Sequence, residues 1–215
     1  LSTEFVFKAE RINTTIAFAL FAVNHAVAFL GIGFGTLLFR RASERLEQDM
    51  TLLANRDTLT SLPNRRCMTA LLHGERKSSI LDGKRFVVGL ADVDHFKKIN
   101  DEYGHDCGDF VLKEVGHLLE EALRSGDAVA RWGGEEFLIL MRSPDIESSL
   151  IGVKRAQDRL GSHSFDFQGR EVKVSLTFGL VLVEPGGCLE TALKTADDRL
   201  YQGKRAGRNR VVSEG

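Results

Sequence analysis

The sequence predicts an α+β domain (mixed α/β) behind a membrane-spanning helix and a helical stalk. Three observations carry that prediction. The stretch from Ile16 to Phe39 is almost wholly apolar and holds no Asp, Glu, Lys or Arg, and a charged helical pattern follows it. Beyond residue 57, short apolar runs of strand length alternate with amphipathic segments of helical period. Glycine-bearing turns join some of the short runs directly, so hairpins interleave with helices and the sheet is not purely parallel.

The 24-odd-residue span from Ile16, as a helix, reaches about 36 Å, against a hydrocarbon core of roughly 30 Å. Arg40, Arg41 and Arg45 follow it, which puts the C-terminal side in the cytoplasm. An arginine pair also stands where a signal peptide would need a small-residue cleavage site. Asn24 and His25 lie mid-span and are read as partners in helix–helix hydrogen bonds, and Gly31, Gly33 and Gly35 as close-packing positions. A chain opening on Leu1 reads as a piece of a longer protein with further membrane helices upstream. Ala42, Leu46, Met50 and Leu53 form a narrow apolar stripe, suited to a stalk that pairs with a second copy. The expected divisions are 1–39, 40–56 and 57–215.

In the last division, Leu62-Pro63-Asn64 precedes a helix expected from about Arg65 to Leu72. Arg85–Asp92 reads as a buried strand and Phe110–Leu123 as a helix. Asp127–Trp132 and Phe137–Met141 read as a hairpin around Gly133-Gly134-Glu135-Glu136. Ile146–Leu160 is a helix, Ser164–Phe167 with Glu171–Val183 a second hairpin, Leu189–Gly203 a helix and Arg210–Ser213 a final strand.

Composition narrows the function classes. Lys+Arg number 29 against 30 Asp+Glu, a balance that argues against a nucleic-acid binder. Cys67, Cys107 and Cys188 lie far apart, with neither disulfide-framework nor zinc spacing. The chemistry gathers at two acidic turns. Asp92 ends the first strand, where an acid is costly unless it binds something. Asp92 and Asp94 are expected on opposite faces, so that only one meets a pocket. Glu135 and Glu136 sit at the hairpin tip behind two glycines that let a ligand approach the backbone. Carboxylates from two turns suit a hard cation such as Mg²⁺, completed by water and phosphate oxygens. Lys97, Lys98 and the cluster Lys204, Arg205, Arg208 and Arg210 offer charge for phosphate.

These residues resemble a family. Asp57-Thr58-Leu59-Thr60-Ser61-Leu62-Pro63-Asn64-Arg65-Arg66, Asp92-Val93-Asp94-His95-Phe96-Lys97-Lys98-Ile99-Asn100-Asp101, Tyr103-Gly104-His105 with Gly108-Asp109, Arg131-Trp132-Gly133-Gly134-Glu135-Glu136-Phe137 and Gly207-Arg208-Asn209-Arg210 resemble, in order, the motifs of the GGDEF domain of bacterial diguanylate cyclases, in its GGEEF form. The resemblance covers about residues 55–213. It implies an adenylyl-cyclase-like core with a central, mostly antiparallel sheet. It also implies condensation of two GTP to cyclic di-GMP with release of two pyrophosphates, by a homodimer at the bacterial inner membrane with its catalytic domain in the cytoplasm. Carried over, Asp92, Glu135 and the Val93 carbonyl hold Mg²⁺ or Mn²⁺, and Glu136 lies beside the attacking hydroxyl or a second metal. Asn100 and Asp109 read guanine. Lys97, Lys204 and Arg208 hold phosphates, with His95, Phe96, Gly133 and Gly134 lining the nucleotide. Arg124 and Asp127 stand as RxxD where the family places its inhibitory cyclic di-GMP site. Ser61, Thr177 and Gly203 depart from the usual glycine, serine and alanine. The competing reading is a catalytically silent domain that only binds GTP or cyclic di-GMP.

Overall fold

The computed structural model describes residues 16, 18–25, 27, 29–41 and 55–214. The expected stalk residues Ala42, Leu46, Met50 and Leu53, with Arg45 among them, lie outside this set. The chain divides into units 1–52 and 53–215. In the first, helix α1 (Phe18–Arg41) has a mean hydropathy of 1.7 over its most apolar window, long and apolar enough to cross a membrane by length and composition. His25 Nδ1 lies 2.8 Å from the Phe21 carbonyl oxygen, and Thr36 Oγ1 donates to the Ile32 carbonyl at 2.8 Å. These polar side chains are thus satisfied one turn back on their own helix.

The second unit is built on strands covered on both faces, which is why they read as continuous apolar runs. Its elements are α2 (Arg65–Asp82), β1 (Phe86–Val93), α3 (Phe96–Tyr103), α4 (His105–Ala122), β2 (Ala128–Arg131), β3 (Glu136–Met141), α5 (Ile146–Ser162), β4 (Phe165–Phe167), β5 (Arg170–Val172), β6 (Leu176–Val183), α6 (Leu189–Arg205) and β7 (Val211–Val212). The main sheet runs β2-β3-β1-β6-β7, antiparallel except for β6 with β7. Alternation divides each strand between two cores. Val87, Ala91 and Val93 of β1 face α3, α4 and α5, while Phe86, Val88 and Leu90 face α2 and α6. Helix α6 lies directly on β6, since a side chain at Gly179 would collide with the Ala196 carbonyl oxygen.

Three expectations are corrected. The segment after β1 is not one acidic turn but the short helix α3, with Phe96 and Ile99 buried and Gly104 (φ 87) ending it. α2 continues ten residues past Leu72, to Asp82, although much of its last turns is exposed. Glu171–Val183 is not one strand: β5 pairs with β4 in a separate two-stranded sheet, and β6 joins the main one. Ser61 sits at φ 60, the left-handed region that a glycine would enter freely.

Candidate active site

The register of β1 places Asp92 between Glu136 of β3 and Thr177 of β6. Cross-strand partners share a face, here the one covered by α2 and α6. Asp92 is 4% exposed, and Lys204 Nζ reaches down from α6 to within 2.8 Å of its Oδ1. The Val93 N–H donates to the Glu135 carbonyl at 3.2 Å, holding the hairpin turn against the end of β1. Burial pushes the Asp92, Glu135 and Glu136 carboxyls above the ordinary range. Repulsion from Asp92 adds to the rise at both glutamates, and Lys204 counters it at all three.

The turn is shaped by its own acids. Glu136 folds back over Gly133, its Oε2 2.6 Å from where a Cβ there would stand, while Gly134 faces open space. Trp132 N–H donates to the Glu136 carbonyl at 2.8 Å and closes the hairpin. Arg131 braces it from outside. Its Nη2 donates to the Gly134 carbonyl at 2.8 Å, and its Nη1 meets Asp57 Oδ1 at 3.1 Å. Burial would raise the Asp57 carboxyl, but hydrogen bonds from Thr60 and the Arg131 guanidinium outweigh it and hold the group below its ordinary value. The Arg65 guanidinium lies over the Trp132 ring at 4.5 Å. Sequence reading passed over Arg131 and Asp57 as site supports. Both belong to quoted motifs, but nothing local signals a pairing across 74 residues.

Asp94 does not oppose Asp92. Residues two apart in an extended chain share a face, and Asp94 Oδ1 accepts from Thr177 Oγ1 on that same side. Arg208 joins the site from the loop after α6, its N–H donating to the Gly203 carbonyl at 3.0 Å and its charge lowering Asp92. His95 and Lys97 are exposed at the start of α3, His95 with φ 57. The Phe96 ring is buried in the core. Asn100 packs against Gly108, where its Oδ1 occupies the space a side chain would need, and that Oδ1 is buried without a hydrogen-bond partner. Asp109, next in the chain, is exposed. Arg124 and Asp127 are not brought to this group but stand at the opposite end of β2. Arg124 is exposed, and the Asp127 carboxylate accepts from the backbone N–H of Arg142 at 2.9 Å and of Arg124 at 3.3 Å.

Among the described residues no three His, Cys, Asp or Glu are grouped to hold a metal by side chains alone. The expected donors are instead two carboxylates and a carbonyl, all hard oxygens, a set that water and phosphate oxygens complete for Mg²⁺. Three crowded carboxyls held above their ordinary range are also the electrostatic condition that a cation relieves. The residues therefore fit the group.

A family model described as "Diguanylate cyclase, GGDEF domain" matches residues 54–210. The chain is 35% identical over 164 residues to diguanylate cyclase DgcP of Pseudomonas aeruginosa, covering 76% of this chain and 24% of that protein. It is 39% identical over 165 residues to response regulator PleD of Caulobacter vibrioides, covering 75% and 36%. It thus spans only a minor part of either relative's length. Among solved structures, the coiled coil and GGDEF domain of DgcB from Caulobacter crescentus, in complex with c-di-GMP, aligns with a TM-score of 0.78 at 26% identity, over 85% of this chain and 97% of that one. Diguanylate cyclase SiaD of Pseudomonas aeruginosa, in complex with its activator SiaC, aligns with a TM-score of 0.72 at 31% identity, over 98% and 86%. With the match extending from before Asp57 to Arg210 and taking in the acidic hairpin, the second unit of this chain belongs to the GGDEF domain family of diguanylate cyclases.

Proposed function

We propose that the chain is a membrane-anchored diguanylate cyclase that condenses two GTP into cyclic di-GMP and two pyrophosphates, as a homodimer. The observation that carries this reading is the convergence of Asp92, Glu135 and Glu136 with Lys204 and Arg208 at one end of the sheet, in a domain of this family. The 3′-hydroxyl oxygen of each GTP forms a bond to the α-phosphorus of the other, the bond to pyrophosphate breaks, and the hydroxyl proton leaves. One site cannot align both nucleotides, so a symmetric pair of subunits supplies the proximity.

Asp92, Glu135 and the Val93 carbonyl would hold a divalent cation, Mg²⁺ or Mn²⁺. When bound, that cation supplies Lewis-acid stabilisation of charge on the reacting phosphate and the departing pyrophosphate. Lys204 and Arg208 bind phosphate oxygens, with Lys97 at the rim. Asn100 and Asp109 read guanine. A carboxylate accepts both N1–H and the exocyclic amine, a pairing adenine cannot reproduce. Glu136, its carboxyl raised by burial, suits acceptance of the hydroxyl proton. Arg124 and Asp127 form a separate inhibitory site for product, and α1 anchors the chain, placing the catalytic unit in the cytoplasm. The apolar run, the arginines behind it and the length of α1 support that anchor.

The test is direct. The purified full chain in detergent micelles, given GTP and Mg²⁺, is expected to release cyclic di-GMP and pyrophosphate, two pyrophosphates per product. GTP binding without product would instead favour a silent binding module and overturn the enzyme reading.

A further inference from the structure

Asp94 is 5% exposed, yet the metal, the guanine and the phosphates each have other residues assigned to them. Its carboxylate is fully engaged. Oδ1 accepts from Thr177 Oγ1 at 2.6 Å, and Oδ2 accepts from Ser175 Oγ at 2.7 Å and from the Asn209 backbone N–H at 3.0 Å. The last of these is long-range in the chain and reaches the loop that carries Arg208. That loop is conformationally unfavourable. Arg208 at φ 62 and Asn209 at φ 45 are consecutive left-handed residues with side chains, following Gly207 at φ 113. Single non-glycine residues visit that region at a cost, and two in succession persist only where neighbours over-determine them.

We propose that Asp94 is a positioning residue for phosphate binding: it pins the Arg208–Asn209 turn in its left-handed geometry and so aims the Arg208 guanidinium into the site. This rests on the cyclase reading, in which Arg208 holds phosphate. Thr177 completes the device. It is 0% exposed, donates to Asp94, and sets its methyl where a Cβ at Gly203 would lie only 2.6 Å away. One hydroxyl-bearing side chain therefore touches both Asp94 and the α6 backbone immediately before Lys204. The role suits a carboxylate. The Asn209 N–H can only donate, and hydrogen bonds to a charged acceptor are stronger than those to a neutral one, whereas an amide keeps this geometry only by turning its NH₂ toward a hydroxyl and gives up the charge.

The experiment is a double-mutant cycle on binding. The probe is 3′-deoxy-GTP, which lacks the attacking hydroxyl, titrated with Mg²⁺ onto the full chain. Asp94→Asn is expected to weaken its Kd, and to raise KM for GTP, by about tenfold, with a smaller fall in kcat. In an Arg208→Ala background the same change should add less than about twofold, because Asp94 acts through Arg208. Thr177→Ser keeps the donor and should bind like wild type, while Thr177→Val should follow Asp94→Asn. A lowered melting temperature with unchanged Kd, or full additivity with Arg208→Ala, would overturn the inference. If Asp94→Asn does not fold, Thr177→Val carries the same cycle. Binding by wild type without cyclic di-GMP formation defeats the cyclase reading but leaves the cycle readable. No binding by wild type removes the phosphate-holding premise and the inference with it.

Discussion

At the scale of single residues, Glu135 and Glu136 are half-buried beside a buried Asp92, and burial leads the causes that raise all three carboxyls. Between the ordinary carboxylate range and these raised values the native protein binds more protons than the unfolded chain. Stability contributed by these groups is therefore present at lower pH and lost as pH rises through the raised values. Glu135→Gln should raise the melting temperature near neutral pH in the absence of divalent cation. Mg²⁺ should raise the melting temperature of wild type but not that of the variant. An equal Mg²⁺ response in both would refute the cation role of Glu135. Arg131 carries opposite logic. It bonds Asp57 and the Gly134 carbonyl together, so Arg131→Ala leaves a half-buried acid without its counter-charge, held by Thr60 and Leu59 alone, and the hairpin unbraced. A loss of about 1–3 kcal/mol is expected by denaturant melting, with reduced cyclase turnover.

At the scale of elements, α6 is delivered to the sheet by small residues. Gly179 lets it lie on the β6 backbone, and Gly203 leaves room for the Thr177 methyl. Gly in a helix costs about 1 kcal/mol against Ala, which by itself predicts that Gly203→Ala would stabilise. The structure reverses that expectation, because the new Cβ would stand 2.6 Å from Thr177 Cγ2 and 3.3 Å from Val212 Cγ2. Gly203→Ala should lower the melting temperature, and adding Thr177→Ser should recover most of the loss. Additive effects of the two changes would show that they do not share this contact. Against the serine and alanine that the family resemblance implies at these positions, Thr177 and Gly203 amount to a methyl carried on the strand in place of one on the helix.

At the scale of the whole molecule, the acidic group and the RxxD loop occupy opposite ends of β2. Regulation through Arg124 is therefore expected to be separable from turnover. Arg124→Ala should keep the initial rate of cyclic di-GMP synthesis and shift the product-inhibition curve to higher concentration by tenfold or more, on the order of the loss of one charge-assisted contact. An unchanged curve would remove the inhibitory role. The proposed dimer belongs to this scale too, since cyclic di-GMP is assembled from two GTP molecules, each attacking the other.

Much of this protein was legible locally. The apolar periods of β1, β3, α4, α5 and α6 mark elements whose buried faces lie on one core or the other, and Gly-Gly before two glutamates marks the hairpin. The break at Lys173-Val174-Ser175 was not legible, because no glycine or proline announces it; it falls where Asp94 N–H donates to the Ser175 carbonyl at 2.9 Å. Helix α3 was hidden because it buries only Phe96 and Ile99 and carries four charged residues on the rest of its surface. The sequence by itself determined the kinds of element, the acids, and the family to which they belong, since period and motif are properties of neighbouring residues. Tertiary structure alone decided which acid meets Lys204, that Thr177 donates to Asp94, and that Arg131 reaches Asp57. Those are contacts across 112, 83 and 74 positions of chain respectively for Lys204 with Asp92, Thr177 with Asp94 and Arg131 with Asp57, set by strand register and helix packing, which no local pattern encodes.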